Sequence, residues 1–285
     1  MKFFLVTTDH LKDRIWFKDD EDFSIAMSCV AIVAFSLKIN VLAFILMSNH
    51  VHFVLQCEPG EAKAFIDRFK MQYGIWYHRK YNHNEFLRRV KVDITEVGLL
   101  DGGLQRAIAY VQMNCVAANI CPYCNMYQWG TGNCFFNPQP PKYSLLGELS
   151  IRARHRLLRS RVQLPSDYKV IDSSYILPQS FVPVQFVESL FRTPSRYLYF
   201  LGNSSKARKH LEKDVAPSFR DQIVVAAIQD LCYSLFRAKG ITELTDEQRG
   251  ELLRQIRRRF STDLSQLCRA TGLSYDKAAR MIEDF

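Results

Sequence analysis

The chain has 285 residues, 48% of them apolar and 24% charged. That balance is ordinary for a globular protein and excludes a wholly disordered chain or a coiled coil. Lys and Arg (38) exceed Asp and Glu (29), giving a net charge of +9, which favours a polyanionic partner and nucleic acid first.

The most apolar stretch, 23–46, is interrupted by Lys38 and Asn40, so neither part reaches the roughly 20 residues that span a bilayer. Residues 1–8 are apolar but too short for the core of a signal peptide. The expectation is a cytoplasmic protein with no membrane span. Its eight cysteines are then reduced thiols by default.

Taken in chain order, Phe3 to Thr7 reads as a short strand. The acidic run Asp19-Asp20-Glu21-Asp22 suits a helix start, and that helix continues to about Phe35. Val41 to Met47 is an apolar run of strand length, Ser48-Asn49 a turn, and His50 to Gln56 a second strand. Pro59-Gly60 closes it. Glu61 to Tyr81 is helical, with Phe65, Phe69, Tyr73, Trp76 and Lys80 on one face. Phe86 to Val97 is strand-like, and a helix from about Leu104 to Ala118 follows Gly102-Gly103. The order β-α-β-β-α-β predicts an α+β fold: a ferredoxin-like (RRM-like) antiparallel sheet with helices on one face, plus one appended helix.

The second half is mostly helical and carries the charge. Residues 1–140 hold 14 basic and 13 acidic residues, against 24 and 16 in 141–285. Asn137-Pro-Gln-Pro-Pro141 can continue neither a helix nor an inner strand, so a boundary is placed there. Residues 1–140 form one domain, 141–195 a basic linker or helical segment, and 196–285 a helical DNA-binding region. Leu145 to Gln163 carries five arginines, from Arg152 to Arg161. Helices are expected over Phe186 to Leu201, Phe219 to Ala238 and Thr245 to Phe260. The end resembles a helix-turn-helix at about 263–285: a helix from Asp263 to Ala270, Gly272 at the turn, and a second helix capped by Ser274. Lys277, Arg280 and, just upstream, Arg258 are the candidates to face DNA.

The sharpest chemical signal is His50-Val51-His52 within a strand. Residues two apart on a strand face the same side, about 6–7 Å apart at Cα, which suits two ligands of one metal ion. The plain alternative is two histidines on a half-exposed strand. On the appended helix Tyr110 and Asn114 share a face, with Arg106 one turn earlier. Leu104, Ile108, Val111 and Cys115 form a neighbouring apolar stripe for packing on the sheet. Tyr110 then sits at the rim of the packed face, which by itself is an ordinary place for a tyrosine.

Met47-Ser-Asn-His-Val-His-Phe-Val-Leu55 resembles the histidine–hydrophobic–histidine strand of the HUH endonucleases. The lead-in from Phe44 is similar to that of the single-tyrosine transposases, including the REP-associated ones. Ala109-Tyr-Val-Gln-Met-Asn-Cys-Val-Ala-Ala-Asn119 resembles their tyrosine helix. Thr7 and Arg14-Ile-Trp-Phe-Lys-Asp-Asp-Glu-Asp22 resemble their first strand–loop–helix. The resemblance covers residues 1–136, and two motifs in order are more specific than either alone.

It implies that Tyr110 is the nucleophile, leaving a 5′-phosphotyrosine and a free 3′-OH on single-stranded or hairpin DNA. It implies that His50 and His52 hold Mg²⁺ or Mn²⁺, with Asn114 as third ligand. One tyrosine makes one covalent link per chain, so exchanging two ends takes two rounds or two chains, as in a homodimer. Two departures stand out. The family's proline after Asn114 is Cys115 here, which predicts a straighter helix end. Its glycine–basic–phenylalanine segment is hard to place around Asn84 to Val97. A non-catalytic or domesticated DNA- or RNA-binding regulator on the same scaffold is the alternative.

Cys115, Cys121, Cys124 and Cys134 cluster in sequence. Cys121-Pro-Tyr-Cys124 matches a redox motif but lacks the strand before it and the helix after it. A zinc site needs a second regular pair. Ordinary thiols are the preferred reading.

Overall fold

The computed structural model describes residues 1–11, 14–82, 87, 89–139, 141–172, 174–205 and 219–283. Its first part runs β1 (Lys2–Thr8), α1 (Asp20–Leu37), β2 (Asn40–Met47), β3 (His50–Cys57), α2 (Glu61–Tyr81) and β4 (Val92–Glu96). The four strands form one sheet in the order β2-β3-β1-β4, every neighbouring pair antiparallel. The protein is therefore of the α+β class. Strand-like residues before Val92 are not in the sheet. Leu87 and Arg89 are helical, and 83–86 and 88 lie outside the described residues.

Alternation along β3 decides what each face carries. Phe53 points at α2, with its ring 5.2 Å from Phe65 and 5.5 Å from Phe69. Trp16, Phe17, Phe23 and Tyr73 complete an aromatic core between the sheet and the first two helices. His52, one residue away, points to the opposite face. There it meets α3 (Gly103–Gln112), through Tyr110. Helices thus cover both faces of the sheet, not one. The appended helix is amphipathic and has to bury its stripe of Leu104, Ile108 and Val111. The face left open by α1 and α2 is the surface available for it.

The tyrosine helix is not straight, although its proline is absent. It stops at Gln112, and a further turn, α4 (Asn114–Ala117), resumes after Met113, at φ −84° and ψ 3°. The reason lies in side chains that bond the backbone. Asn114 Nδ2 donates to the carbonyls of Tyr110 and Val111, and Cys115 Sγ donates to that of Gln112. Competing bonds of this kind break a helical ladder as well as a proline does.

The chain then closes the edge of β2. Thr131 N donates to Phe44 O, Leu46 N to Trp129 O, and Thr131 Oγ1 exchanges bonds with Phe44. Between them Gly130 passes so close that a Cβ would lie 2.6 Å from Phe44 O, so no other residue fits.

Beyond residue 141 come β5 (Ser144–Leu145), α5 (Ile151–Leu158), β6 (Lys169–Ile171) and β7 (Tyr175–Ile176), with the three strands in a second small sheet. Leu146, Leu157, Val170 and Ile176 bury against Ala31 and Ile32 of α1. Of the arginine-rich stretch 145–163, residues Ile151–Leu158 are helical. Arg159, in the left-handed conformation, ends it. The expected helix over 186–201 is two, α6 (Val184–Phe191) and α7 (Pro194–Gly202), because Pro194 can only start a helix here.

The last part is all helical. Its elements are α8 (Asp221–Phe236), α9 (Asp246–Phe260), α10 (Leu264–Thr271) and α11 (Tyr275–Glu283). They share a core of their own, including Val224, Ile228, Leu252, Ile256 and Leu267. Thr245 and Asp263 cap α9 and α10, and Gly272 ends α10 at φ 72°. Among the described residues, no helix is long and apolar enough to cross a membrane.

Candidate metal centre and tyrosine

The β2–β3 hairpin turns on Ser48-Asn49 and delivers His50 and His52 to one side of the sheet. Both are buried, at 5% and 0% exposure, and their rings lie 4.8 Å apart at an interplanar angle of 85°. A third histidine joins them. His10 follows β1, in the loop over the same sheet end, and stacks on His50 with ring centroids 3.6 Å apart. One ligand nitrogen from each of His10, His50 and His52 falls within 4.8 Å of the others. Among the described residues this is the one such group of His, Cys, Asp or Glu, and it could hold a metal ion.

The orientation of His50 follows from one neighbour. Asn49 Nδ2 donates to Leu11 O at 2.7 Å, so its Oδ1 must be the atom that faces His50 Nδ1 at 2.8 Å. An amide oxygen only accepts, so His50 carries its proton on Nδ1 and offers its lone pair from Nε2. His52 Nδ1 lies 3.0 Å from Thr7 Oγ1, its cross-strand partner on β1. Hydrogen bonds at the far nitrogen are what orient imidazoles toward a metal.

Tyr110 stands beside this group. Its ring meets that of His52 edge-on at 5.5 Å. Half-burial pushes its hydroxyl above the ordinary phenol pKa, so at neutral pH it is protonated. Asn114, 3% exposed, borders the same cleft as His10 and His50. Its Nδ2 is engaged by its own helix, which leaves Oδ1 as its ligand atom. Arg106 lies exposed one turn before Tyr110.

The cleft has a second wall that the sequence did not reveal. About 230 Å³ of space lies between the histidine site and the start of α8 with α10, lined on the far side by Phe219, Arg220, Asp221, Gln222, Gln266 and Arg269. Asp221 is 3% exposed and fully engaged. It accepts from Ser48 Oγ at 2.6 Å, from Gln266 Nε2 at 3.1 Å, and from Arg269 through Nε at 2.9 Å and Nη2 at 3.2 Å. The helical part is thereby fastened to the turn that precedes His50.

The other candidates are dispersed. Arg258 and Arg280 are exposed on α9 and α11. Lys277 pairs with Asp246 at 3.3 Å, so its charge is partly spent within the helical part. The four clustered cysteines are free thiols and do not form a metal-sized group. Burial pushes Cys124 up to about 11. Cys115 and Cys121 hydrogen-bond each other, which raises the first and lowers the second.

Comparison with protein-family models, with curated proteins and with solved structures gives no match for this chain.

Proposed function

We propose that the protein is a metal-dependent DNA strand transferase of the HUH single-tyrosine transposase type, cutting single-stranded or hairpin DNA in the cytoplasm. The observation that carries the reading is the edge-on contact of Tyr110 with His52, beside His50 and within one chain. The element order and the strand order β2-β3-β1-β4 support a ferredoxin-like sheet as its scaffold.

In this reading His50 and His52 hold the ion through Nε2, and Asn114 faces it from the tyrosine helix. A bound divalent ion, Mg²⁺ or Mn²⁺ by resemblance, supplies positive charge that polarises the scissile phosphate. The Tyr110 oxygen attacks phosphorus as its proton leaves. The bond to the 3′ oxygen breaks, and that oxygen takes up a proton. The products are a 5′-phosphotyrosine and a free 3′-OH, and the phosphodiester energy is kept for rejoining. Half-burial raises the phenol above its ordinary pKa, so attack requires that its proton be removed.

The helical part supports a DNA-reading role. Helices α10 and α11 flank Gly272 as in a helix-turn-helix, and Arg258 and Arg280 are exposed nearby. Arg106, exposed one turn before Tyr110, supports a phosphate contact there. Histidines and tyrosine come from one chain, so a homodimer would serve to hold two DNA ends and not to complete a site.

The competing reading is a binding protein without chemistry, in which Tyr110 is an ordinary half-buried residue at the rim of the helix–sheet interface. Covalent capture separates the two. Labelled single-stranded hairpin oligonucleotides are mixed with the protein and Mn²⁺ and run on denaturing gels. The expected adduct disappears in Tyr110→Phe and on chelation. Binding with no adduct across a varied hairpin pool would overturn the transferase.

A further inference from the structure

We propose that His10 is a protein ligand of the metal centre, and that the resulting three-imidazole site selects a borderline transition-metal ion over Mg²⁺. The inference rests on reading His50 and His52 as metal ligands; it does not depend on the chemistry of Tyr110.

Three observations carry it. First, His10 brings a ligand nitrogen within 4.8 Å of those of both His50 and His52. Second, its approach is built into the fold. Leu11, the next residue, donates N–H to Asn49 O at 3.2 Å, and its carbonyl accepts Asn49 Nδ2 at 2.7 Å. That two-way bond ties the loop carrying His10 to the turn carrying His50. The Asn49 side chain that anchors the loop also fixes the His50 tautomer. One asparagine therefore sets the position of one imidazole and the lone pair of another. Third, among the described residues the group is made of imidazoles alone. Asp221, a carboxylate that lines the cleft, is occupied by Arg269, Gln266 and Ser48.

The donor set decides the metal. Mg²⁺ is a hard ion that requires oxygen ligands in octahedral geometry, usually carboxylates, waters and phosphates. Three neutral imidazoles offer it little. The same set suits Zn²⁺, Co²⁺ and, more weakly, Mn²⁺ in the order of divalent-ion affinities. Three histidines with a position left over is also the arrangement of open zinc sites, in which a further oxygen can bind. Asn114 is then not needed to retain the ion. Its amide borders the cleft where a substrate oxygen or water would enter.

The test uses metal-free, full-length protein. Co²⁺ is titrated and followed by its visible ligand-field bands, and Zn²⁺ and Mg²⁺ are compared by calorimetry and by competition with Co²⁺. One Co²⁺ per chain is expected, displaced by Zn²⁺ at stoichiometric amounts but not by millimolar Mg²⁺. His10→Ala should weaken Co²⁺ binding by about 10–100-fold or more and change its band intensities. His10 is exposed and sits on a loop, so unchanged circular dichroism and thermal unfolding are expected for His10→Ala.

Wild-type Co²⁺ affinity and spectrum in His10→Ala would overturn the proposal. So would Mg²⁺ competing as well as Zn²⁺. Failure of this inference is distinct from failure of the transferase. If the DNA adduct forms at the wild-type rate with Mg²⁺ in His10→Ala, the transferase stands and the third ligand falls. If Co²⁺ binds through His10 and no oligonucleotide gives an adduct, the metal centre stands and the transferase falls.

Discussion

Asn49 does more for the candidate centre than any residue with a reactive group. It holds Leu11 with one end of its amide and His50 with the other, and its own carbonyl takes the Leu11 N–H. Replacing it with Ala removes the constraint on both rings and takes from the half-buried Leu11 carbonyl its side-chain donor, a loss of about 1 kcal/mol. The larger effect should be on the ion. Partners that orient ligating imidazoles are worth about 10–100-fold in metal affinity. Asn49→Ala should show that drop in Co²⁺ titration while keeping one ion per chain. Full affinity in this variant would mean that the strand alone positions the histidines.

At the scale of elements, some parts of this arrangement are legible in sequence and others are not. His50 and His52 are readable as a pair because the strand period of two is local and strict. Helix α2 is readable over Glu61–Tyr81 because its apolar face repeats over five turns. The interruption at Met113 is not, since it depends on where the side chains of Asn114 and Cys115 turn for hydrogen bonds. His10 is invisible for a different reason. It lies forty positions before His50 in an irregular loop, and only antiparallel pairing of β1 with β3 brings it near. The far wall of the cleft is harder still, because Asp221 meets Ser48 across more than 170 positions.

That contact makes an element-level prediction. Asp221 is a buried carboxylate with four donors, and Arg269 is 17% exposed. Removing one partner of a buried pair costs about 3–5 kcal/mol, and the partial exposure of Arg269 places Asp221→Ala toward the lower end. The helical part has its own core, so it should loosen from the sheet before it unfolds. Urea denaturation of Asp221→Ala should become biphasic. A single transition at the wild-type midpoint would show that other contacts hold the parts together.

At the scale of the whole molecule, buried phenols set an upper limit on pH. Burial raises the pKa of Tyr73, Tyr77, Tyr81, Tyr127 and Tyr197 above the ordinary value. Their stabilisation is fully present below the unfolded-chain pKa of about 10. Above it the unfolded chain releases protons that the folded chain keeps, so stability falls as pH rises. Urea midpoints should hold steady to about pH 9.5 and then drop. In absorbance titration, a part of the 13 tyrosines should ionise only as the chain unfolds. A midpoint that stays constant to about pH 11 would contradict this account.

The hydrogen bond from Ser48 to Asp221 has an evolutionary consequence as well. A recognition module on a flexible tether can be exchanged for another without regard to the enzyme it serves. Here the helical part reaches into the hairpin that presents His50, and Gln222 donates to the Phe17 carbonyl on the same side. Swapping this module would carry a hidden requirement: any incoming one must bring its own acidic latch for Ser48. Shuffled descendants that kept both histidines but lost that latch would inherit a histidine cleft with one wall missing.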